Sequence, residues 1–156
     1  MPTRTILFDA YGTLLDIHSA VARHHERLGS VAAAVSALWR VKQLEYTWTL
    51  TLAGDYRPFD RLTAEALDFA LTQYRITDAI LREDLLQSYR RLSPFHDVAP
   101  ALSALKAQGV TIGVLSNGTP EMLAEALTGG EIAQLLDPVL SVDHLQLYKP
   151  DPRVYA

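Results

Sequence analysis

A short apolar run that ends in an aspartate constrains the fold of this chain more than any other stretch. The strand-forming residues I-L-F at 6–8 stop at Asp9, and Gly12 supplies a bend three residues later. A charge inside a buried strand is costly. We therefore expect Asp9 just past the carboxyl end of the strand, where open α/β sheets hold their ligands. A lone Asp there is usually a turn residue, so the interpretation depends on the later strands.

Two later strands are also predicted to end in polar residues. The apolar run 110–115 stops at S-N-G (116–118), and a third short strand at 139–142 precedes the segment that contains Lys149. Turn residues or solvated loop residues are the alternative at each position. Because the carboxyl ends of parallel strands meet at one edge of a sheet, recurrence after successive strands favours a single site.

The chain between the first two strands has the pattern of a helical insertion. From Ile17 to about Leu92 the periodicity is helical, and the longest helix is predicted at about 31–52. Further helices begin near Asp60 and near 77–78, both with N-cap chemistry. The expected buried stripe of the long helix is formed by Leu38, Val41, Leu44, Trp48 and Leu52.

These patterns predict an α/β fold with an interrupted core. A parallel, Rossmann-like sheet is expected from residues 1–16 and 94–156, with a helical cap at 17–93. His24 and His25 are adjacent and so diverge by about 100° on a helix. No carboxylate completes a ligand set with them and His18, so no metal site is predicted.

Composition limits the classes of function. The 156 residues are 49% apolar and 21% charged, which is typical of one globular unit. The net charge is −4 without a basic run, and no apolar run approaches the length of a membrane span, so neither nucleic acid nor membrane is an expected partner. The absence of Cys excludes disulfides, thiolate metal sites and a Cys nucleophile, and fits a reducing compartment. We expect a cytoplasmic protein with a small-molecule ligand.

Three motifs resemble those of a known superfamily. D-A-Y-G-T, L-S-N-G and Y-K-P-D resemble the first three motifs of the haloacid dehalogenases, and S-A-L-W-R-x-K-Q-L-E-Y-T-W resembles the cap of the L-2-haloacid dehalogenase branch. The resemblance covers almost the whole chain. It implies hydrolysis of (S)-2-haloacids to (R)-2-hydroxyacids by a homodimer without a cofactor, with haloacid, water and halide as its small partners.

The resemblance also implies roles for residues that match its motifs. The implied catalytic residues are the nucleophile Asp9, the hydroxyl of Thr13 that steadies it, the cap arginine Arg40, the lysine Lys149, and Tyr155, which positions the charge network. The implied substrate contacts, besides Arg40, are Ala10, Tyr11, Phe59, Ser116 and Asn117, with Phe59 in the halide pocket.

The implied chemistry is consistent with these side chains. An Asp9 carboxylate kept ionised by Lys149 can displace halide from C2 with inversion, and water can then cleave the ester at the aspartyl carbonyl. Arg40 and the Asn117 amide would bind the departing halide. Ser116 and the amides after Asp9 would bind the substrate carboxylate.

Several alternatives stay open. A magnesium-dependent phosphatase of the superfamily carries a second Asp where this chain has Tyr11, and a phenol ordinarily titrates about six pH units above an aspartic acid. An inactive truncated fragment is a second alternative, because the family's fourth motif is absent and at least one further strand and helix, on the order of 30 residues, would be needed. Taken alone, Arg40 would be a solvated helix arginine, and Trp39, Tyr46 and Trp48 would be packing residues.

Overall fold

Strands and helices alternate near both ends of the chain, and helices fill its middle. The computed structural model describes residues 4–156, so residues 1–3 of the predicted core segment lie outside the described residues. The elements in chain order are β1 (Thr5–Phe8), β2 (Leu15–Asp16), α1 (Ser19–Ala22), α2 (His25–Leu28), α3 (Ala32–Ala53), α4 (Phe59–Gln73), α5 (Ala79–Tyr89), β3 (Ser93–Pro94), α6 (Val98–Ala107), β4 (Thr111–Ser116), α7 (Pro120–Gly129) and β5 (Val139–Ser141).

A parallel three-stranded sheet in the order β1-β4-β5 confirms the predicted α/β core. β1 pairs with β4 from Thr5 opposite Thr111 to Phe8 opposite Val114, and β5 pairs with the second half of β4. The connection from β4 to β5 contains α7, and the connection from β1 to β4 contains the helical middle and α6. All three strands therefore present their carboxyl ends at one edge of the sheet.

A two-stranded ribbon was not predicted. β2 pairs antiparallel with β3, with Leu15 opposite Pro94 and Asp16 opposite Ser93. The Ser19 hydroxyl strengthens the junction, since it donates to Asp16 O at 2.6 Å and accepts from Ser93 N at 3.0 Å. The ribbon closes the base of the helical segment where the chain leaves the sheet and returns. Strands of two residues are too short to show a periodicity in the sequence.

Helix α3 buries a different face from the predicted one. Val41 and Trp48 are each 48% exposed and Leu52 is 90% exposed, so the predicted stripe was wrong. The buried positions are Ala32, Val35, Ser36, Trp39, Gln43 and Thr47. This face is preferred because distant residues satisfy its polar groups: the Trp39 indole N–H donates to Thr63 O of α4 at 2.8 Å.

The starts of the two following helices differ in their caps. Asp78 caps α5 as predicted, accepting a hydrogen bond from Leu81 N at 2.9 Å. Asp60 is not the N-cap of α4, because the helix begins one residue earlier and Pro58 takes the cap position without a side-chain hydrogen bond. Asp60 lies in the first turn instead, where its negative charge still favours the helix dipole.

One continuous apolar cluster joins the sheet to the helical middle. It includes Val114 of β4, Leu123 of α7, Leu62 of α4 and Leu85 of α5, all fully buried. This shared core fixes the helices over the carboxyl edge of the sheet. Within residues 4–156, no helix combines the length and the apolar character needed to cross a membrane.

Candidate active site

Asp9 and Lys149 form an ion pair at the carboxyl edge of the sheet. Asp9 directly follows β1, and Lys149 Nζ donates to Asp9 Oδ1 at 2.6 Å and to Leu115 O at 2.8 Å. Lys149 is held by its backbone as well, because its N–H donates to Asn117 Oδ1 at 2.9 Å. The neighbouring Tyr148 is almost wholly buried and its hydroxyl donates to Arg57 O. The ends of β1 and β4 and the loop after β5 thus converge on one carboxylate.

The turn after β4 is organised by its own side chains. The buried Ser116 Oγ accepts from Gly118 N at 3.2 Å, and Ser141 Oγ donates to Gly118 O at 2.6 Å. Thr119 caps α7 by accepting from Met122 N at 3.3 Å. Since the Asn117 oxygen is engaged with Lys149, its side-chain NH₂ is the group that remains to donate to a ligand.

Arg40 reaches from α3 to the loop that follows β1. Its Nη2 donates to Tyr11 O at 2.7 Å, and its Nη1 donates to Gln43 Oε1 at 2.8 Å. The residue after Tyr11 is Gly12, whose φ of +94° lies in the left-handed region that favours glycine, while a Cβ there would meet Arg40 Nη2 at an ordinary contact distance of 3.5 Å. The side chain is partly buried and bonded across the fold, unlike a solvated helix arginine.

Aromatic rings form one wall of the site. Tyr11 is 3% exposed, stacks on Tyr89 at 5.6 Å between centroids, and lies at the same distance from Phe59. Burial raises the pKa of the Tyr11 phenol well above its ordinary value, so the hydroxyl stays protonated and is a weak acid. Within the described residues this hydroxyl is buried and has no hydrogen-bond partner.

A cavity of about 350 Å³ brings most of the predicted residues together. The predicted residues that line it are Asp9, Tyr11, Arg40, Phe59, Ser116, Asn117, Lys149 and Tyr155. Tyr155 is 61% exposed. With one carboxylate and two cationic groups in its lining, the cavity favours a small anion.

Two predicted residues do not line this cavity. Ala10 is fully buried, and its carbonyl accepts from the backbone N–H groups of Leu14 and Leu15 at 2.9 Å each. Thr13 is exposed, and within residues 4–156 no hydrogen bond joins its hydroxyl to Asp9. Their implied roles therefore remain predictions.

Sequence reasoning missed the apolar part of the lining. Leu44, Trp48 and Pro150 face the cavity. A signal was available, because Leu44 and Trp48 follow Arg40 by four and eight residues and so share its helix face. Trp48 was interpreted as packing, yet it is half exposed at the cavity, whereas the same prediction for the buried Trp39 is confirmed.

Two of the histidines in the helical segment lie within hydrogen-bond distance of serine hydroxyls. His18 Nδ1 lies 2.7 Å from Ser36 Oγ, and His24 Nε2 lies 2.9 Å from Ser88 Oγ. In the part of the chain that the structure describes, no three His, Asp or Glu side chains cluster closely enough to hold a metal ion.

Comparison with known proteins adds independent findings. A family model described as haloacid dehalogenase-like hydrolase matches residues 3–156. The (S)-2-haloacid dehalogenase 1 of Pseudomonas sp. strain CBS-3 is 50% identical over 155 residues, which cover 99% of this chain and 68% of that protein. The (S)-2-haloacid dehalogenase 4A of Burkholderia cepacia is 49% identical over 153 residues, 97% of this chain and 66% of that protein.

Solved structures agree with these relatives. A crystal structure of a dehalogenase has a TM-score of 0.95 at 48% identity and is matched over 99% of this chain and 69% of its own. The L-2-haloacid dehalogenase from Xanthobacter autotrophicus with chloropropionic acid covalently bound has a TM-score of 0.89 at 34% identity, over 98% of this chain and 62% of its own. The chain thus spans about two thirds of the length of the relatives it matches.

Proposed function

This chain belongs to the haloacid dehalogenase-like hydrolases, on their L-2-haloacid dehalogenase branch, and we propose that it hydrolyses (S)-2-haloacids to (R)-2-hydroxyacids through an ester on Asp9. The main support for this proposal is the ion pair between Lys149 Nζ and Asp9 Oδ1, 2.6 Å apart, in a cavity that Arg40 also lines. A cation beside a carboxylate can orient it for attack, and a second cation can stabilise the charge that develops on the leaving group.

The first step forms a bond from Asp9 to the substrate. Oδ1 is held by Lys149, so Oδ2, which has no hydrogen bond within residues 4–156, is the oxygen that attacks C2. The carbon–halogen bond breaks and its electron pair leaves with the halide, inverting the configuration at C2. Arg40 and the Asn117 NH₂ are donors for that halide, and Ser116 is a donor for the substrate carboxylate.

The second step restores Asp9. Water attacks the aspartyl carbonyl, the bond from that carbonyl to the ester oxygen breaks, and the 2-hydroxyacid leaves with an oxygen that came from Asp9. One proton of the water ends on the hydroxyl group of the product, and the other is released to solvent as Asp9 returns to its carboxylate form, which balances the charge of the released halide. Lys149, only 18% exposed, supports this step because its ammonium stabilises negative charge on the former carboxylate oxygen.

The phosphatase alternative lacks its general acid. Tyr11 stands where phosphatases of the superfamily carry their second Asp, and burial holds its phenol protonated with an unusually high pKa. Such a group is a poor proton donor to the leaving alcohol of a phosphate ester. The aromatic stacking of Tyr11 on Tyr89 instead suits an apolar wall beside the halogen.

We also propose the domain division that the sequence suggested, with a core of residues 1–16 and 94–156 and a cap of residues 17–93. The β2–β3 ribbon supports it, because it pairs the two points at which the chain crosses between the parts. A homodimer and a cytoplasmic location remain predictions, and the dimer is testable by light scattering.

Halide release tests the proposed function. We expect the chain to release chloride from (S)-2-chloropropionate and not from the (R) enantiomer, to form (R)-lactate, and to be unaffected by a chelator. Asp9→Asn should abolish turnover with the fold retained. Asp16→Asn is the matched control, since Asp16 lies outside the cavity and, within residues 4–156, its side-chain carboxylate accepts a hydrogen bond from His18 N alone.

Two results would contradict the proposal. Faster hydrolysis of a phosphate ester than of any haloacid, with loss of activity in chelator, would favour the phosphatase. No halide from either enantiomer would favour the inactive fragment.

A further inference from the structure

Gln43 occupies an unusual position on α3. It is completely buried one turn after Arg40, while the apolar Val41 and Trp48 of the same helix are half exposed. An amide loses its hydration on burial, so such a position is favourable only if its polar groups find partners. A helix that buries Gln in place of available apolar residues suggests a requirement for the amide itself.

All the bonds that Gln43 makes point to one orientation of its amide. Oε1 accepts from Arg40 Nη1 at 2.8 Å and from Tyr89 Oη at 3.1 Å, and Nε2 donates to Thr63 Oγ1 at 2.6 Å. Arginine can only donate, so the oxygen must face Arg40. Thr63 gives its own proton to Phe59 O at 2.7 Å, which leaves its oxygen free to accept from Gln43. The amide is therefore fixed from both α4 and α5.

This amide fixes the guanidinium in turn. Arg40 is held at two nitrogens, Nη1 by Gln43 and Nη2 by Tyr11 O at 2.7 Å. Hydrogen bonds at two nitrogens of the planar guanidinium define its plane, and Arg40 itself lines the cavity. Because Gln43 is neutral, it orients the guanidinium without cancelling its charge, which a carboxylate in the same place would do.

We propose that Gln43 is a positioning residue for dehalogenation: its amide, fixed by Thr63 and Tyr89, holds the Arg40 guanidinium in the plane that meets the departing halide and leaves its charge unpaired. This inference rests on the proposed function. Gln43 does not line the cavity, so it acts through Arg40.

The proposal has a signature that a purely structural role lacks. Arg40 acts on charge that develops as the carbon–halogen bond breaks, and a poorer leaving group depends more on that stabilisation. Misplacing Arg40 should therefore lower the turnover rate on (S)-2-chloropropionate more than that on (S)-2-bromopropionate. Loss of folded protein would lower the apparent turnover rates on both substrates by the same factor.

Two substitutions of Gln43 separate orientation from charge. Gln43→Met keeps the volume of the side chain and removes its hydrogen bonds. Gln43→Glu keeps an acceptor for Arg40 but forms an ion pair that offsets the positive charge of the guanidinium. Each should lower kcat on the chloro acid by about ten- to a hundredfold with KM changed only a few-fold, and each should lower the ratio of the chloro rate to the bromo rate. Gln43→Glu keeps the contact with Arg40 but loses the donor to Thr63 Oγ1, so kcat is compared per folded protein, with the folded fraction taken from the melting curve.

Thr47→Val is the matched control. Thr47 is as deeply buried, lies one turn further along α3, and donates only to Leu44 O of its own helix at 2.7 Å. It should leave kcat and the substrate ratio unchanged. If Gln43→Glu keeps the wild-type kcat and ratio, or if both substrates slow equally, Gln43 is not a positioning residue.

A structural measurement decides the inference without turnover. In a crystal structure of Gln43→Met, we expect the guanidinium to leave the plane it occupies in the wild type and its 2.7 Å contact with Tyr11 O to lengthen. An unmoved guanidinium would overturn the inference even if activity fell. A wild-type chain that releases no halide would instead overturn the proposed function, and the position of Arg40 would still decide the role of Gln43.

Discussion

Replacing Gly118 with alanine tests whether the Tyr11 ring is a fixed wall of the cavity. A Cβ at position 118 would lie 2.7 Å from Tyr11 Cε2 and 3.2 Å from its hydroxyl oxygen. The Tyr11 ring has little room to move away, because it is stacked on Tyr89 and lies against Phe59, and the residue is only 3% exposed. The methyl group must therefore push the ring toward the cavity or shift the turn that carries Asn117.

The magnitude follows from the closeness of this contact. Adding a methyl group to a tightly packed interior costs about 1–3 kcal/mol. For a protein of this size, about 1 kcal/mol lowers the melting temperature by about 2–4 °C, so Gly118→Ala should lower it by about 2–12 °C. Because Asn117 holds the Lys149 backbone, we also expect kcat/KM to fall by up to about a hundredfold.

Thermal unfolding followed by circular dichroism measures the first effect. Gly129→Ala is the matched control, because the nearest atom to its new Cβ is in Arg91 at 3.6 Å, an ordinary contact, and its stability should hold or rise by up to about 1 kcal/mol since alanine favours a helix more than glycine does. Adding Tyr11→Leu should relieve the clash and give a clear coupling energy in a double-mutant cycle. Equal melting temperatures of the Gly118→Ala and Gly129→Ala proteins, or a coupling energy of zero between positions 118 and 11, would show that the Tyr11 ring is not a fixed wall of the cavity.

Two further predictions concern the same cavity. Arg40→Lys keeps a charge but loses the planar guanidinium that bonds Tyr11 O and Gln43, so kcat for halide release should fall by about ten- to a thousandfold with little change in melting temperature. If the substitution instead unfolds the protein and the folded fraction keeps its wild-type kcat, Arg40 is an ordinary helix residue. Tyr11→Phe removes a buried hydroxyl that has no partner among the described residues, so the rate of halide release should stay within about threefold of wild type and the melting temperature should hold or rise. A large loss of activity would show that the hydroxyl takes part in the chemistry.

The sequence predicted the sheet and the polar residues at its edge because both are local signals. An apolar run that stops at a polar cluster defines a strand and its end, so Asp9, the 116–118 turn and Lys149 could be assigned to one edge. Their convergence on one cavity then follows from parallel pairing.

The orientation of α3 could not be predicted in the same way. Which face it buries depends on Thr63 and Tyr89, which lie twenty and forty-six residues from Gln43 and satisfy its amide. Periodicity alone favours the apolar positions, which the structure leaves exposed. The apolar lining at Leu44 and Trp48 was missed for the same reason, since both were counted toward a buried stripe.

The proposed function requires that Asp9 attacks the substrate and is regenerated by water. It is tested most directly by a single turnover of excess protein with (S)-2-chloropropionate in water that carries the heavy oxygen isotope. We expect unlabelled lactate, because its new oxygen comes from Asp9, and a peptide containing Asp9 that gains one heavy oxygen by mass spectrometry. Labelled lactate with an unlabelled Asp9 peptide would mean that water attacks C2 directly, and would contradict nucleophilic attack by Asp9.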